Sequence, residues 1–205
     1  MKKIAEGAEA DIFKLRFMGL DAILKYRRTK PYLEKSLYEN IRNSRTKNEA
    51  KMLYLAVSGG ASVPKPIFVS RYAICMEAIT GTRLDMILAM QHVDSIKAIH
   101  GIGVELAILH SSMIAHGDYT PANIIVDKNM KVYVIDFGLS EYTFSLEDKA
   151  IDLLLMKRSL IEKDYRVFIE SYRRHLKDAN KVIAKLEEIE QRGRYQNRSL
   201  DHASH

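Results

Sequence analysis

The chain has 205 residues, a formal net charge of +6 and one cysteine. A chain of this length buries roughly 70% of the surface its unfolded form exposes, so it needs neither disulfides nor metal to fold, and a lone cysteine excludes a disulfide framework and fits a reducing compartment. No apolar run approaches the ~20 residues of a spanning helix, and Met1-Lys2-Lys3-Ile4-Ala5-Glu6 lacks the apolar core of a signal peptide, so a soluble, cytoplasmic protein is expected.

In chain order, Ala10-Asp11-Ile12-Phe13-Lys14-Leu15-Arg16-Phe17 partly alternates as a strand, and Met18-Gly19-Leu20-Asp21 turns it into Ala22-Ile23-Leu24-Lys25-Tyr26. From about Leu33 to Val57, Leu37, Ile41, Met52, Leu53 and Val57 recur at near-helical intervals. Polar Asn43 to Asn48 is a candidate break, and Ser58-Gly59-Gly60 stops the helix. Pro64 and Pro66 bracket a loop before strands around Ile67-Phe68-Val69 and Ala73-Ile74-Cys75-Met76, where Cys75 reads as a buried, inert thiol. After Glu77-Ala78-Ile79-Thr80-Gly81 the pattern turns helical. Ile96, Ile99, Val104, Leu106, Ala107, Ile108 and Leu109 predict one long buried helix, and Leu146 to Leu160, Tyr165 to Leu176 and Lys181 to Gln191 predict three more. The polar, aperiodic segment from Arg192 to His205 is expected to be mobile alone. The resulting division is a sheet-rich lobe over 1–79, a helical lobe over 80–191 and a basic tail over 192–205.

Two short blocks carry the chemistry. His116-Gly117-Asp118-Tyr119-Thr120-Pro121-Ala122-Asn123 spells H-G-D-x-x-x-x-N, and Asp136-Phe137-Gly138 spells D-F-G. Between them Ile124-Ile125-Val126-Asp127 and Val132-Tyr133-Val134-Ile135 flank the polar turn Lys128-Asn129-Met130-Lys131, a hairpin that brings Asp136 beside Asn123. These blocks match the catalytic loop and metal-binding segment of kinase-like enzymes: Asp118 approaches the nucleophile that attacks a γ-phosphate, while Asn123 and Asp136 offer oxygens to magnesium. Turn-capping by Asp and Asn explains either block alone but not both in this order and spacing. Ile23-Leu24-Lys25 resembles the strand element whose lysine pairs with the α- and β-phosphates and is held by a helix glutamate, here Glu49 or Glu34. Met76-Glu77-Ala78-Ile79 resembles the adenine-binding connector, in which the Glu77 carbonyl and Ile79 amide pair with the base. Gly7-Ala8-Glu9-Ala10 supplies a single glycine for the loop that covers the phosphates.

Three departures from ordinary protein kinases shape the functional expectation. Thr120 stands where most serine/threonine kinases carry a lysine that neutralises the migrating phosphoryl group. Gly117 replaces the arginine of H-R-D, and no A-P-E follows Gly138. The chain already reads as a helix start at Glu147-Asp148-Lys149-Ala150-Ile151-Asp152, which leaves no room for a peptide-docking activation segment.

Over nearly its whole length the chain resembles the PRPK/Bud-type atypical kinase subunits of the KEOPS (EKC) complex. The resemblance rests on Gly7-Ala8-Glu9-Ala10, Lys25-Tyr26-Arg27, Arg45-Thr46-Lys47-Asn48-Glu49-Ala50, the two catalytic blocks, Glu147 to Asp152, and Arg192-Gly193-Arg194. It implies an α+β, bilobal protein-kinase-like fold with a reduced helical lobe. It also implies ATP and Mg as cofactors, and ATPase activity supporting threonylcarbamoylation of the tRNA adenosine beside the anticodon. The implied partners are a Kae/OSGEP-type threonylcarbamoyltransferase subunit, a Cgi-type small subunit and tRNA. Arg27, Arg28, Arg42, Arg45 and Lys47, with Arg192, Arg194 and Arg198, read either as phosphate-backbone contacts or as solvated surface. The alternatives from other classes are a RIO-type ribosome-assembly kinase, a small-molecule phosphotransferase, and a basic scaffold that binds ATP and tRNA without turnover. His116 reads as structural, bonded to backbone near Asp136.

Overall fold

A computed structural model describes residues 1–7, 10–28, 35–90 and 95–202, with side chains for all of these except 35–38 and 193–202. Five antiparallel strands form the first lobe: β1 (Lys2–Glu6), β2 (Ala10–Phe17), β3 (Leu20–Arg27), β4 (Pro66–Val69) and β5 (Ala73–Glu77). Their spatial order is β1-β2-β3-β5-β4. The β2–β3 hairpin closes on Met18 and Gly19, whose φ angles of 50° and 81° give the doubly left-handed two-residue turn that matches strand twist. Helix α1 (Lys35–Ser58) links β3 to β4 and packs on β4 and β5.

The candidate break at Asn43 to Asn48 is not there: α1 is continuous. Its buried face is helical in spacing but polar in chemistry, because Arg42, Thr46 and Glu49 are buried ahead of Met52, Leu53 and Ala56. A stripe of buried charge at i, i+4 and i+7 has the burial of an amphipathic helix without its hydrophobicity. Ile41, expected inside, is exposed.

The second lobe contains the short strand β6 (Thr82–Arg83) and the helices α2 (Leu84–Ala89) and α3 (Ser95–Ser111). These are followed by β7 (Ile114–Ala115), a 3-10 turn over Pro121–Asn123, β8 (Ile124–Val126), β9 (Val132–Val134) and β10 (Glu141–Tyr142). Helices α4 (Leu146–Ser159), α5 (Glu162–His175) and α6 (Ala179–His202) complete it. The expected hairpin is β8–β9, with Val126 opposite Val132. Asp127 shapes its turn by accepting the N–H groups of Asn129 and Lys131 through Oδ1 at 2.8 and 2.9 Å. Helix α3 is the central rod. At Gly103 it approaches α5 so closely that a Cβ would stand 2.5 Å from the Phe168 carbonyl oxygen.

One apolar core runs through both lobes, from Met52, Ile74 and Met76 to Leu106, Phe137, Leu153 and Tyr172. The loop after α1 ties them further: the Ser62 N–H donates to Glu105 Oε2 at 2.7 Å and the Ser62 carbonyl accepts from Val134 N–H at 2.9 Å. The backbone from Arg192 to His202 is helical, an extension of α6 where the sequence suggested an aperiodic segment. Arg192, Gln191 and Gln196 are good helix formers and no proline intervenes. Among the described residues no helix is long and apolar enough to cross a membrane.

Candidate active site

Strand β3 and helix α1 supply the first half of the site. Lys25 Nζ donates to Glu49 Oε1 at 2.7 Å and to Asp136 Oδ1 at 2.6 Å. Glu49 therefore takes the role left open between it and Glu34; Glu34, Ala8 and Glu9 lie outside the described residues. The pairing is almost dry, with the Lys25 and Glu49 side chains 10% and 2% exposed. Burial alone would lower the Lys25 pKa, but the adjacent Glu49 and Asp136 carboxylates outweigh it and raise it. Burial likewise opposes the Asp136 charge, and the Lys25 ammonium outweighs it and depresses that carboxyl.

The β8–β9 hairpin supplies the second half. Ile135 N–H donates to the Asn123 carbonyl at 2.9 Å, which sets Asp136 next to Asn123. Asn123 Nδ2 donates to the Asp118 carbonyl at 2.9 Å and to Asp118 Oδ2 at 2.8 Å. With its amine end so committed, Asn123 has Oδ1 as its remaining acceptor. Asp136 adopts φ 62°, a left-handed conformation that Asp tolerates better than most residues. Its side chain is half exposed. One carboxylate and one amide oxygen are a hard-oxygen donor set that suits magnesium, which takes few protein ligands and completes its shell with phosphate and water. Among the described residues there is no group of three or more His, Cys, Asp or Glu placed to hold a metal unaided.

The H-G-D loop is held by helix α4. Asp152 on α4 is fully buried and accepts the His116 N–H at 2.7 Å and the Gly117 N–H at 2.8 Å, while His110 Nε2 lies 3.1 Å from its Oδ2. His110 is buried, which lowers its pKa despite Asp152, and its Nδ1 meets Tyr172 Oη at 2.7 Å. His116 bonds the Ile135 carbonyl through Nε2 at 3.1 Å and accepts Asp118 N–H through Nδ1 at 3.3 Å, so one tautomer satisfies both. Its ring packs against Tyr119 and Phe137. Gly117 stands at φ 77°, and a Cβ there would meet the Leu139 carbonyl oxygen at 2.5 Å. A side chain at this point is excluded by backbone, which accounts for H-G-D in place of H-R-D.

At the expected adenine connector, Met76 is buried in β5, Glu77 N–H donates to the Lys65 carbonyl and Ala78 N–H to the Asp21 carbonyl. Glu77 and Ile79 line a cavity of about 720 Å3 together with Tyr133, Ile87 and residues of the β8–β9 turn. Lys25, Asn123 and Asp136 are not among its lining residues. Gly7 N–H donates to the Ala10 carbonyl at 2.9 Å, closing the β1–β2 hairpin at the expected phosphate loop. Cys75 is buried and its thiol pKa is raised by burial.

Two cations move off the basic surface. Arg27 and Arg42 are 4% and 5% exposed: Arg27 Nη2 donates to Glu49 Oε2 at 2.6 Å, and Arg42 bonds the Arg27 carbonyl and stacks 4.0 Å over the Tyr72 ring. Neither presents itself to a polynucleotide. Arg28 bonds Glu6, whereas Arg45 and Lys47 remain exposed. Asp152 and Asn48, whose Nδ2 donates to the Ser140 carbonyl at 2.9 Å, were not singled out as site residues in the sequence, and Arg27 read there only as a nucleic-acid contact or surface cation. The available signal was Asp152, an acid directly ahead of the apolar run Leu153-Leu154-Leu155.

A family model described as the RIO domain matches residues 12–186. The chain belongs to the RIO-domain family. The "KEOPS complex subunit Bud32" of Pyrococcus abyssi is 34% identical, over 97% of this chain and 98% of its own length. A "Probable bifunctional tRNA threonylcarbamoyladenosine biosynthesis protein" of Methanobrevibacter smithii is 39% identical over 94% of this chain. The chain spans 36% of that relative's length. Among solved structures, crystals of WbdD, one of them with the kinase inhibitor LY294002, superpose with TM-scores of 0.58 and 0.57 at 19% and 18% identity. They cover 81% and 88% of this chain and 44% and 49% of their own, and establish the bilobal kinase-like fold alone. RIO-domain family membership places the chain among atypical kinases that bind ATP with a metal ion.

The contact between Lys25 and Asp136 has a signed pH dependence. A carboxyl depressed below its ordinary 3.8 stabilises the fold above that value and loses the contribution as pH falls through its lower folded pKa. An ammonium raised above 10.5 stabilises below that value and loses the contribution as pH rises through its higher folded pKa. Urea midpoints of the parent and Asp136→Asn should therefore differ by a constant amount from about pH 5 to 9 and converge below about pH 4. A gap that widens on acidification contradicts the ion pair.

Proposed function

We propose that this chain is the magnesium-dependent atypical kinase/ATPase of a KEOPS complex, supporting threonylcarbamoylation of the tRNA adenosine next to the anticodon. The observation that carries the reading is the linkage of Lys25, Glu49 and Asp136 by ion pairs to the hydrogen-bonded Asn123 and Asp118 through the Ile135 N–H on the Asn123 carbonyl, with only a short link from Gly138 to helix α4. Lys25 engages the α- and β-phosphates and Glu49 holds it there. Asn123 and Asp136 would hold the magnesium ion, which neutralises phosphate charge. The Glu77 carbonyl and Ile79 N–H pair with adenine, and the Gly7-Ala8-Glu9-Ala10 hairpin covers the phosphates. Asp118 orients the attacking water or hydroxyl and accepts its proton. The names of the relatives support the assignment to tRNA modification. One of those names makes its bearer a complex subunit; in this reading the partners are a Kae/OSGEP-type transferase subunit, a Cgi-type subunit and tRNA in the cytoplasm, with Arg45 and Lys47 facing nucleic acid.

Hydrolysis predominates over serine/threonine phosphorylation in this reading. Helix α4 starts at Leu146, soon after Gly138, because Ser145 Oγ accepts the Asp148 N–H and Thr143 Oγ1 bonds Asp148 Oδ2. Strand β10 in the short link pairs with β7, so no extended platform remains for a peptide. Phosphate transfer to a casein-like substrate is expected to be feeble, because Thr120 also supplies no cation to the migrating group. Transfer at the rate of an ordinary protein kinase would refute this.

Asp118→Asn is expected to lower kcat for ATP hydrolysis by about 10²- to 10⁴-fold while KM changes little, since the role belongs to the chemical step. Steady-state kinetics separates the two constants, and a loss confined to KM would reassign Asp118 to binding. The KEOPS reading itself is tested by reconstitution with the transferase and Cgi-type subunits. ATP hydrolysis should rise when partners and tRNA are added, and tRNA modification should fail without this chain. Modification that proceeds at full rate in its absence would overturn the reading.

A further inference from the structure

We propose that Arg27 is a positioning residue that holds Glu49 through its second oxygen, so that Lys25 can leave Asp136 and bind phosphate without stranding a buried carboxylate. The proposal rests on the nucleotide-site reading above. Glu49 is held from both sides: Lys25 Nζ takes Oε1 at 2.7 Å and Arg27 Nη2 takes Oε2 at 2.6 Å. The Glu49 side chain is 2% exposed and that of Arg27 5%, so water cannot replace either cation. Lys25 and Arg27 both border the turn that carries Asp136, since a Cβ built on Gly138 would stand 3.6 Å from Arg27 Nη2 and 3.7 Å from Lys25 Nζ.

Charge gives the arrangement its meaning. Lys25 and Arg27 bring two positive charges to the two carboxylates Glu49 and Asp136. When phosphates arrive, the Lys25 charge must be shared with them, and the Asp136 carboxylate must turn from Lys25 to the metal. Arg27 has no such exchange to make. It is fixed on β3 by its own N–H to the Tyr72 carbonyl at 2.9 Å and by Arg42, which reaches across from α1 to the Arg27 carbonyl. Its guanidinium therefore keeps the buried Glu49 compensated throughout. Without Arg27, Lys25 alone faces the buried Glu49 carboxylate and the half-exposed Asp136 carboxylate, which ties Lys25 to Glu49 and leaves a net negative charge that repels the incoming phosphates. The Lys–Glu pair alone does not provide this; the second cation lets the lysine be shared.

The test is a double-mutant cycle on Mg-ATP affinity, measured by calorimetric titration of the full chain for the parent, Arg27→Met, Glu49→Gln and the double variant, with folding checked by circular dichroism. Arg27→Met should weaken Mg-ATP binding at least tenfold. In the Glu49→Gln background, where no buried carboxylate needs a cation, the same replacement should change affinity less than threefold. Equal losses in both backgrounds would reduce Arg27 to packing and overturn the proposal, as would unchanged affinity in Arg27→Met. If Arg27→Met alone does not fold, Arg27→Gln takes its place in the same cycle: a tenfold loss in the parent background that falls below threefold beside Glu49→Gln supports the proposal, and equal losses or no loss in the parent background contradict it. A parent that binds no Mg-ATP would instead overturn the nucleotide-site reading itself, a distinct outcome.

Discussion

Asp136→Ala should abolish magnesium-dependent ATP hydrolysis, by a thousandfold or more, while the circular-dichroism spectrum stays that of the parent. The proposed metal site has one carboxylate and one amide oxygen, so removing the carboxylate takes its only anionic protein ligand. The fold survives because Asp136 is half exposed and Lys25, relieved of it, still has Glu49 at 2.7 Å. The left-handed backbone at Asp136 also becomes harder to hold with alanine, which adds a modest destabilisation. Hydrolysis assayed across magnesium concentration checks the assignment. Unchanged turnover in a folded variant would remove Asp136 from the metal site.

Asp152→Ala should do the opposite in order of cause: the fold weakens first and activity follows. Asp152 is fully buried and accepts the N–H groups of His116 and Gly117, with His110 against the same carboxylate. Alanine leaves the buried His116 N–H and His110 Nε2 without this partner and the half-buried Gly117 N–H without its acceptor, and each buried group so stranded costs about 1–3 kcal/mol. The H-G-D loop would lose the support that sets Asp118 opposite Asn123. Urea unfolding should show the drop in stability, and hydrolysis should fall even at temperatures where the variant remains folded. Parent-like stability would show that the loop is held by its own turns, chiefly the Asn123 bonds to Asp118.

The legible parts of this molecule were those whose residues sit close together in the chain. H-G-D-x-x-x-x-N, the β8–β9 hairpin and D-F-G are contiguous, and alternation around Lys128 to Lys131 sufficed to bring Asp136 to Asn123. The strands of the first lobe were likewise readable from their alternation, and Lys25 was recognisable on β3. What could not be read was buried charge. Arg27 and Arg42 read as surface because arginine is rarely enclosed, and only the fold reveals that Glu49 and the Tyr72 ring enclose them. The same inversion suggested a break in α1, whose inner face at Arg42, Thr46 and Glu49 is polar because Glu49 pairs there with Lys25 and Arg27 and Arg42 reaches the Arg27 carbonyl. The choice between Glu34 and Glu49 depended on a pairing across 24 residues, which spacing could not decide. Asp152 was hidden for a related reason: its partners are backbone N–H groups 35 and 36 residues away.

The most direct measurement is where a divalent ion sits when nucleotide is bound. Crystals grown with manganese as a magnesium surrogate and a non-hydrolysable ATP analogue locate it by anomalous scattering. The expected result is a manganese peak about 2.1–2.2 Å from an Asp136 carboxylate oxygen and from Asn123 Oδ1, bridging to phosphate oxygens, with Lys25 turned from Asp136 to the α- and β-phosphates and Glu49 still paired. Nucleotide bound elsewhere, or an ion that touches neither Asp136 nor Asn123, would contradict the account.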